Sequence, residues 1–422
     1  MPLAIYPSVM DIARGPGPLD GVRVLDLTRV LAGPHCTRML ADLGARVIKV
    51  EPPEGDGTRL SFPKVASIAT YFSQQNCGKE NISLDLRQPV GINLLLQLIS
   101  HVDIMVENYR PDVMDRLGLT WDVLHARNPR LILASISGYG RGNEWSNRRA
   151  YAPVVSAEMG VTDLQAKAHH GNVGSDPVSH ADLYTSLECL SGVLAALYQR
   201  ERTGNGQRVE VSMAETMLSV NEHMHWILAR DLDGVSDDNF VPSYRTEEFP
   251  VVTASSGELV LIAGHPAADG NFQPLCLMMN RPDLLDDPSL ATVGQRRAGL
   301  NRINETLSAW AVTIDTVEEL LALVDRAGFA VGIVRTVTEA ATSAWAKERG
   351  SIVEIDNRNG GTLRIPNSPI RFSDADAGLR GSVRYRGEDN RSVLSSMLGL
   401  TDDEVDELEA SGALSSRLPK AR

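Results

Sequence analysis

"VRVLDLTRVLAGPHCTRMLADLGARVIKVE", residues 22–51, decides the fold. Its first piece, "VRVLDL" (22–27), is a short run of β-branched residues and leucine. The loop "TRVLAGP" follows, then a helical pattern through "HCTRMLADLGA", then a second apolar run, "RVIKVE". A strand, a helix and a strand in that order make a βαβ unit. The pattern returns downstream. Pro89 opens "VGINLLLQLIS" at a position suited to a first helical turn. "VDIMVEN" (102–108) reads as a strand, and "LILASISGYG" (131–140) follows a further polar, helix-rich stretch. Such alternation predicts an α/β fold with a parallel sheet covered by helices.

The chain has 422 residues, enough for two domains. A hydrophobic fraction of 43% and a charged fraction of 23% fit a globular protein. Its net charge of −13 argues against broad nucleic-acid binding, which needs a concentrated basic surface. A local basic pocket for one small polyanion is compatible with that charge. No apolar run approaches the roughly 18 residues a membrane helix needs, and "MPLAIYPSVMDIARGPGPLDG" lacks a basic start followed by an apolar core. The expected setting is cytoplasmic, without a membrane partner. Cys36, Cys77, Cys189 and Cys276 are scattered, which suits reduced, packed thiols.

In "PVSHADLYTSLECLSGVLAALYQR" (177–200), Asp182 precedes Leu183, Leu187, Leu190, Leu194 and Leu197, spaced to share one helix face. "RTGNGQ" is a turn and "RVEVSM" an alternating strand. A second helix is expected over "AETMLSVNEHMHWILAR" (214–230). From "DLDGVSDD" the texture changes to short strands, "FPVVTA" and "ELVLIAG", then helices. These shifts place a large domain at 1–228 and 340–422 and a smaller one at 229–339. Near the end, Thr401 and Glu404 have capping-box spacing.

Several chemistries lose ground on motif grounds. The first βαβ unit ends its second strand on Glu51, where a ribose-binding acid would sit, yet its loop supplies only Gly33 instead of G-x-G-x-x-G. His169 and His170 are adjacent and His223 and His225 two apart, spacings that do not share a helix face, so no metal site is expected. No G-x-S-x-G elbow or Gly-Lys-Ser/Thr phosphate loop occurs. Asp182 has two readings. Aspartate is a strong helix N-cap, and this is the favoured one on local physics; the amides that bind a cap would also keep a carboxylate ionised and able to attack a carbonyl.

Taken together, several blocks resemble the class III CoA-transferases, the family of formyl-CoA:oxalate and carnitine CoA-transferases and the related 2-methylacyl-CoA racemases. They are "LDGVRVLDLTRVLAGPHCTRMLADLGARVIKVEPPEGDGTR", "NCGKENISLDLRQPVG", "VDIMVENYRPDVMDRLGL", "NPRLILASISGYG", "ADLYTSLECLSGVLAALYQRERTGNGQRVEVSM" and "GEDNRSVLSSMLGL". The resemblance implies a Rossmann-like large domain and a smaller α+β domain. It also implies an open-ring subunit interlocked with a second copy as a homodimer. Asp182 would be the nucleophile, passing through a mixed anhydride and an aspartyl-CoA thioester. Coenzyme A would enter as substrate, with no permanently bound cofactor and no metal. An acyl-CoA would be the donor and a small carboxylic acid the acceptor. By position in the family pattern, CoA contacts fall on Val30, Leu31, Ala32, Leu84, Arg87, Asn108, Tyr109, Arg116, Gly138 and Tyr139. Arg87 and Arg116 would face phosphates.

Departures from the pattern concern the acyl group. Leu31 replaces a glutamine of the oxalate-using enzymes, "FVPSYRTEEFPVV" (240–252) occupies the region of a glycine run, and Ala152 and Asp389 also differ. The rival enzyme is a racemase, which needs a second acid/base residue; Tyr151 stands where its histidine would fall, and tyrosine is a poor proton acceptor near neutral pH. A CoA-binding protein without activity is the third reading. The sequence leaves the donor acyl group and the acceptor acid open.

Overall fold

The computed structural model describes residues 6–9, 15–169, 171–229 and 248–418. The stretch "DLDGVSDD" and most of 240–252 lie outside them. Contacts divide the chain into two units. One runs up to Val161, continues over Ser175–Met224 and resumes from Ala341; the other comprises Thr162–Gly174 and His225–Ala340. The segment 162–174, which the sequence reading leaves with the large domain, thus groups with the smaller unit.

The first unit is built on six parallel strands, β1 (Arg23–Asp26), β2 (Arg46–Glu51), β3 (Glu80–Ser83), β4 (Ile104–Glu107), β5 (Ile132–Ser137) and β6 (Arg208–Ser212). Their order is β3-β2-β1-β4-β5-β6, every neighbouring pair parallel. The chain winds outward from β1 to β3, then crosses to β4 on the other side of β1. In doubly wound sheets a ligand crevice opens where the winding reverses, outside the strands' carboxyl ends. Here that point is the pair of loops after β1 and β4.

Both faces of the sheet are buried, which is why its strands are continuous apolar runs. Leu25, Ile48, Ile82 and Met105 pack on one face with Leu95, Leu98 and Val393. Val24, Val47, Ile104 and Ile132 pack on the other with Cys36, Leu40, Cys189 and Val193. The second cluster joins the Ala32–Asp42 helix to the His180–Thr203 helix. From the second helix Cys189, Leu190, Val193, Ala196 and Leu197 enter this cluster, whereas Leu187 is 46% exposed. Of the expected leucine face, Leu190 and Leu197 are buried and Leu194 packs against the same cluster, while Leu187 departs from it and points out. All four cysteines are buried free thiols.

Local signals set several boundaries. Pro89 opens the Pro89–Ile99 helix. Thr401 and Glu404 form a reciprocal capping box at the Asp402–Ala410 helix. The helix expected over 214–230 is two helices, Met213–Ser219 and Met224–Ala229. In the second unit, strands Val251–Thr253, Leu259–Ala263 and Ala330–Ile333 form an antiparallel sheet with Leu259–Ala263 in the middle. Val260, Ile262, Phe272, Leu307 and Leu320 fill its core. Among the described residues no helix is long and apolar enough to cross a membrane.

Candidate active site

Asp182 is not a cap. The His180–Thr203 helix takes Ser179 as its N-cap residue, so Asp182 lies inside the first turn. The backbone N–H groups of Ala32 and Ala152 act on its carboxylate and favour its ionised form. Ala32 begins the Ala32–Asp42 helix and Ala152 begins the Ala152–Glu158 helix. Two helix N-termini from distant parts of the chain thus converge on one side chain, which itself stands in the first turn of a third helix. Free first-turn amides and aligned dipoles favour negative charge at such a point. Burial opposes them and wins: the Asp182 carboxyl is pushed up to about 6, with the Ala32 and Ala152 bonds pulling the other way. The group is still mainly ionised at neutral pH, but dearly so.

The loop after β1 aims the Ala32 amide. Beneath it lies a buried set of charges. Asp26 accepts from Thr28 N at 2.9 Å, Thr28 Oγ1 at 2.5 Å and Thr37 Oγ1 at 2.7 Å. Lys79 Nζ meets Asp26 at 3.0 Å and also donates to Pro34 O and Thr37 Oγ1. Lys49 Nζ donates to Thr28 O at 2.8 Å and lies 3.3 Å from Asp56. Burial tends to raise the Asp26 carboxyl, yet Lys79, Lys49 and the threonine hydroxyls hold it far below the usual range. Burial pulls the Lys79 ammonium down to about 8, partly offset by Asp26. Glycine is required at position 33 because a Cβ there would lie 2.3 Å from Thr28 Cβ.

Glu51 is taken by the protein itself. It holds Arg59 through both oxygens, accepts from Asn81 Nδ2 and from the Asp56 N–H, and is buried. A ribose could not use it without breaking those bonds, in keeping with the missing glycine loop.

The structure separates the positions expected to meet CoA into groups. Val30, Leu31 and Ala32 form the turn at the switch point; Val30 is 38% exposed and Leu31 only 6%. Asn108 clamps that turn, accepting from Arg29 N and donating to Arg29 O, each at 2.8 Å. Leu84, Arg87 and Tyr109 line a cavity of about 280 Å³, together with Arg29, Val50 and Val113. Gly138 and Tyr139 follow β5, where a Cβ on Gly138 would meet Ala150 Cβ at 2.2 Å and Tyr139 packs edge-on to Trp145. This close approach delivers the chain to Ala152. Arg116 does not line the cavity; it is exposed and pairs with Asp112 at 3.4 Å.

Three contributors escaped the sequence reading. Arg29 lies over the Tyr109 ring at 4.8 Å, and among the described residues no carboxylate pairs with it. Arg87, by contrast, is held by Asp85 at 2.7 Å and Glu54 at 2.8 Å. Tyr71 is the second residue of the Thr70–Asn76 helix, which packs on Ala32–Asp42 where His35 meets Gln75 at 3.0 Å. Its phenol is pushed up to about 12 by burial, then by Asp182 and Asp56, so it stays a donor. The third is the Ala152 amide; Pro153 in the first turn was its available signal. Nothing local marks Tyr71.

The chain matches the model of CoA-transferase family III over residues 19–390. It is 32% identical to a formyl-CoA:oxalate CoA-transferase from Streptomyces coelicolor, covering 94% of this chain and 99% of that protein. It is 31% identical to a succinyl-CoA–D-citramalate CoA-transferase from Chloroflexus aurantiacus, covering 95% and 99%. Among solved structures, a CAIB/BAIF family protein from Brucella suis superposes with a TM-score of 0.75 at 30% identity, covering 91% of this chain and 100% of that one. Coverage of most of the chain by the family model and by relatives of this identity makes the chain a CoA-transferase, a member of CoA-transferase family III.

Proposed function

We propose that the enzyme moves CoA between carboxylic acids by covalent catalysis at Asp182. The carboxylate attacks the carbonyl of a donor acyl-CoA, giving an aspartyl–acyl mixed anhydride and CoA thiolate. The thiolate attacks the aspartyl carbonyl, releasing the donor's carboxylate and leaving an aspartyl-CoA thioester. The acceptor carboxylate then attacks that thioester, and the returning thiolate attacks the acceptor acyl carbon. Products are a new acyl-CoA and free Asp182. The observation that carries the reading is the pair of amides, Ala32 and Ala152, on this carboxylate. Donors set before reaction are suited to the oxyanions that develop there. A helix-capped carboxylate kept partly out of water also protects the anhydride from hydrolysis.

CoA lies, in this reading, along the switch point. Its acyl end meets Val30–Ala32 and Gly138–Tyr139, and its nucleotide end enters the cavity of Leu84, Arg87 and Tyr109. Family membership supports an interlocked homodimer of open rings, a cytoplasmic setting and CoA as substrate without a resident cofactor. The two named relatives act on different acids at nearly equal identity, so a panel of acyl-CoAs against small carboxylates must identify donor and acceptor. Incubation with an accepted acyl-CoA followed by hydroxylamine should mark Asp182, read by mass spectrometry. An adduct on another residue, or full turnover by Asp182→Ala, refutes the mechanism.

A further inference from the structure

Val30 has a φ of 68°, in the left-handed region. For a β-branched side chain that conformation is rare and persists only where surrounding groups over-determine it. Those groups are Asp26, Lys49, Asn108 and Asp56. Asp26 and Lys49 fix both sides of Thr28, at 2.9 Å to its N and 2.8 Å to its O. Asn108 fixes both sides of Arg29 at 2.8 Å. Asn108 thereby holds the carbonyl of the Arg29–Val30 peptide, and Asp56 takes its N–H, the two Asp56 oxygens lying 3.3 and 3.4 Å from Val30 N. Asp56 is in turn locked by Thr58 N and Thr58 Oγ1, each at 2.9 Å, and by Lys49 at 3.3 Å.

The left-handed step at Val30 turns the chain so that Leu31 can act as N-cap and Ala32 as first residue of its helix. The Ala32 N–H then acts on the Asp182 carboxylate, favouring its ionised form. We infer that Asp56 is a positioning residue: by drawing the Val30 amide toward itself it holds the turn, and through the turn it aims the Ala32 amide at Asp182. This rests on the reading of Asp182 as the reacting carboxylate.

The inference can be told from a direct charge effect by its sign. Removing the negative charge of Asp56 would, acting through space, make Asp182 easier to ionise. Losing the Ala32 hydrogen bond makes it harder. Other titratable groups nearby are separable. Tyr71 stays protonated far above this range. His35, one turn along from Ala32, is bonded to Gln75 and pulled down by burial. Glu158, on the helix that Ala152 begins, pairs with Arg148 at 3.5 Å.

The test is a pH titration of the full-length protein carrying carbon-13 in its aspartate carboxyls, with Asp182→Asn assigning the signal. The parent midpoint should fall near 6. Asp56→Ala should raise it by about one pH unit, the scale of a lost amide bond to a carboxylate. Val30→Gly in the Asp56→Ala background should bring it back, because glycine takes the left-handed conformation without help. If Asp56→Ala folds poorly because Lys49 is stranded, Lys49→Met/Asp56→Ala removes both charges and should show the same rise. An unchanged or lowered midpoint, or no recovery with Val30→Gly, overturns the inference. Turnover by Asp182→Asn at the parent rate would sink the mechanism instead, leaving the titration result to stand by itself.

Discussion

Lys79 Nζ lies 3.0 Å from Asp26 Oδ2, and neither side chain has more than 1% of its surface exposed. The pair ties the end of β1 to the residue just before β3 beneath the loop that carries Val30 and Ala32, so its integrity sets both stability and the active-site turn. Removing one member of a buried pair strands the other, which costs about 3–5 kcal/mol. Asp26→Asn and Lys79→Met should each lower the urea midpoint by an amount on that scale. The double variant should cost clearly less than the two single changes combined. Strict additivity in this cycle would show that the two groups do not depend on each other.

Asp182 should govern two pH dependences of opposite sense. With its carboxyl pushed up to about 6, the ionised nucleophile accumulates as pH rises through that value, so turnover should climb about tenfold per unit below it and level off above. Stability runs the other way. A folded-state value above the ordinary 3.8 means the fold favours the protonated form; that contribution is full below about pH 4 and lost as pH rises through about 6. Asp182→Asn, permanently neutral, should therefore abolish turnover yet stabilise the protein at pH 7.5 by on the order of 2 kcal/mol, reduced by solvent at this partly open site. The gain should vanish at pH 4. Chemical denaturation at the two pH values decides it.

What was legible in the chain follows from which signals are local. The βαβ alternation, Pro89 and the Thr401–Glu404 box depend on neighbours within a few residues, and they set the sheet and several helix limits. Asp182 could not be placed the same way, because Ser179 and Asp182 both suit an N-cap and only the observed helix start chooses between them. The amides it binds come from Ala32 and Ala152, brought together by the sheet order. Leu187 faces outward while Leu190 and Leu197 are buried in the cluster and Leu194 packs on it, a difference invisible in a leucine repeat. The arginines were different: Asp112 at i−4 from Arg116 and Asp85 at i−2 from Arg87 were available warnings that these cations are already paired.

Gly33→Ala separates helix propensity from loop geometry. Within a helix, alanine is favoured over glycine by about 1 kcal/mol. Here the added methyl would lie 2.3 Å from Thr28 Cβ and Cγ2, so the turn must open and displace the Ala32 amide. Turnover should fall at least tenfold, consistent with the loss of about 1.4 kcal/mol of transition-state stabilisation. The far-ultraviolet circular dichroism should be unchanged. A variant as active as the parent would mean the loop can yield without moving that amide.

The cavity beside the switch point gives the remaining expectation, which concerns ligand affinity alone. Tyr109 and Arg29 stack at 4.8 Å along its wall, and Arg29 has no carboxylate partner among the described residues. An uncompensated guanidinium attracts a phosphate more effectively than one already neutralised, as Arg116 is by Asp112. Calorimetry with free CoA should show Arg29→Ala and Tyr109→Ala weakening binding about tenfold, the effect of losing about 1.4 kcal/mol. Arg116→Ala should stay within about twofold, since a largely exposed i,i+4 ion pair contributes little. The reverse ranking would place the phosphates outside the cavity, on the Pro111–Arg116 helix, and would remove Arg29 from the site.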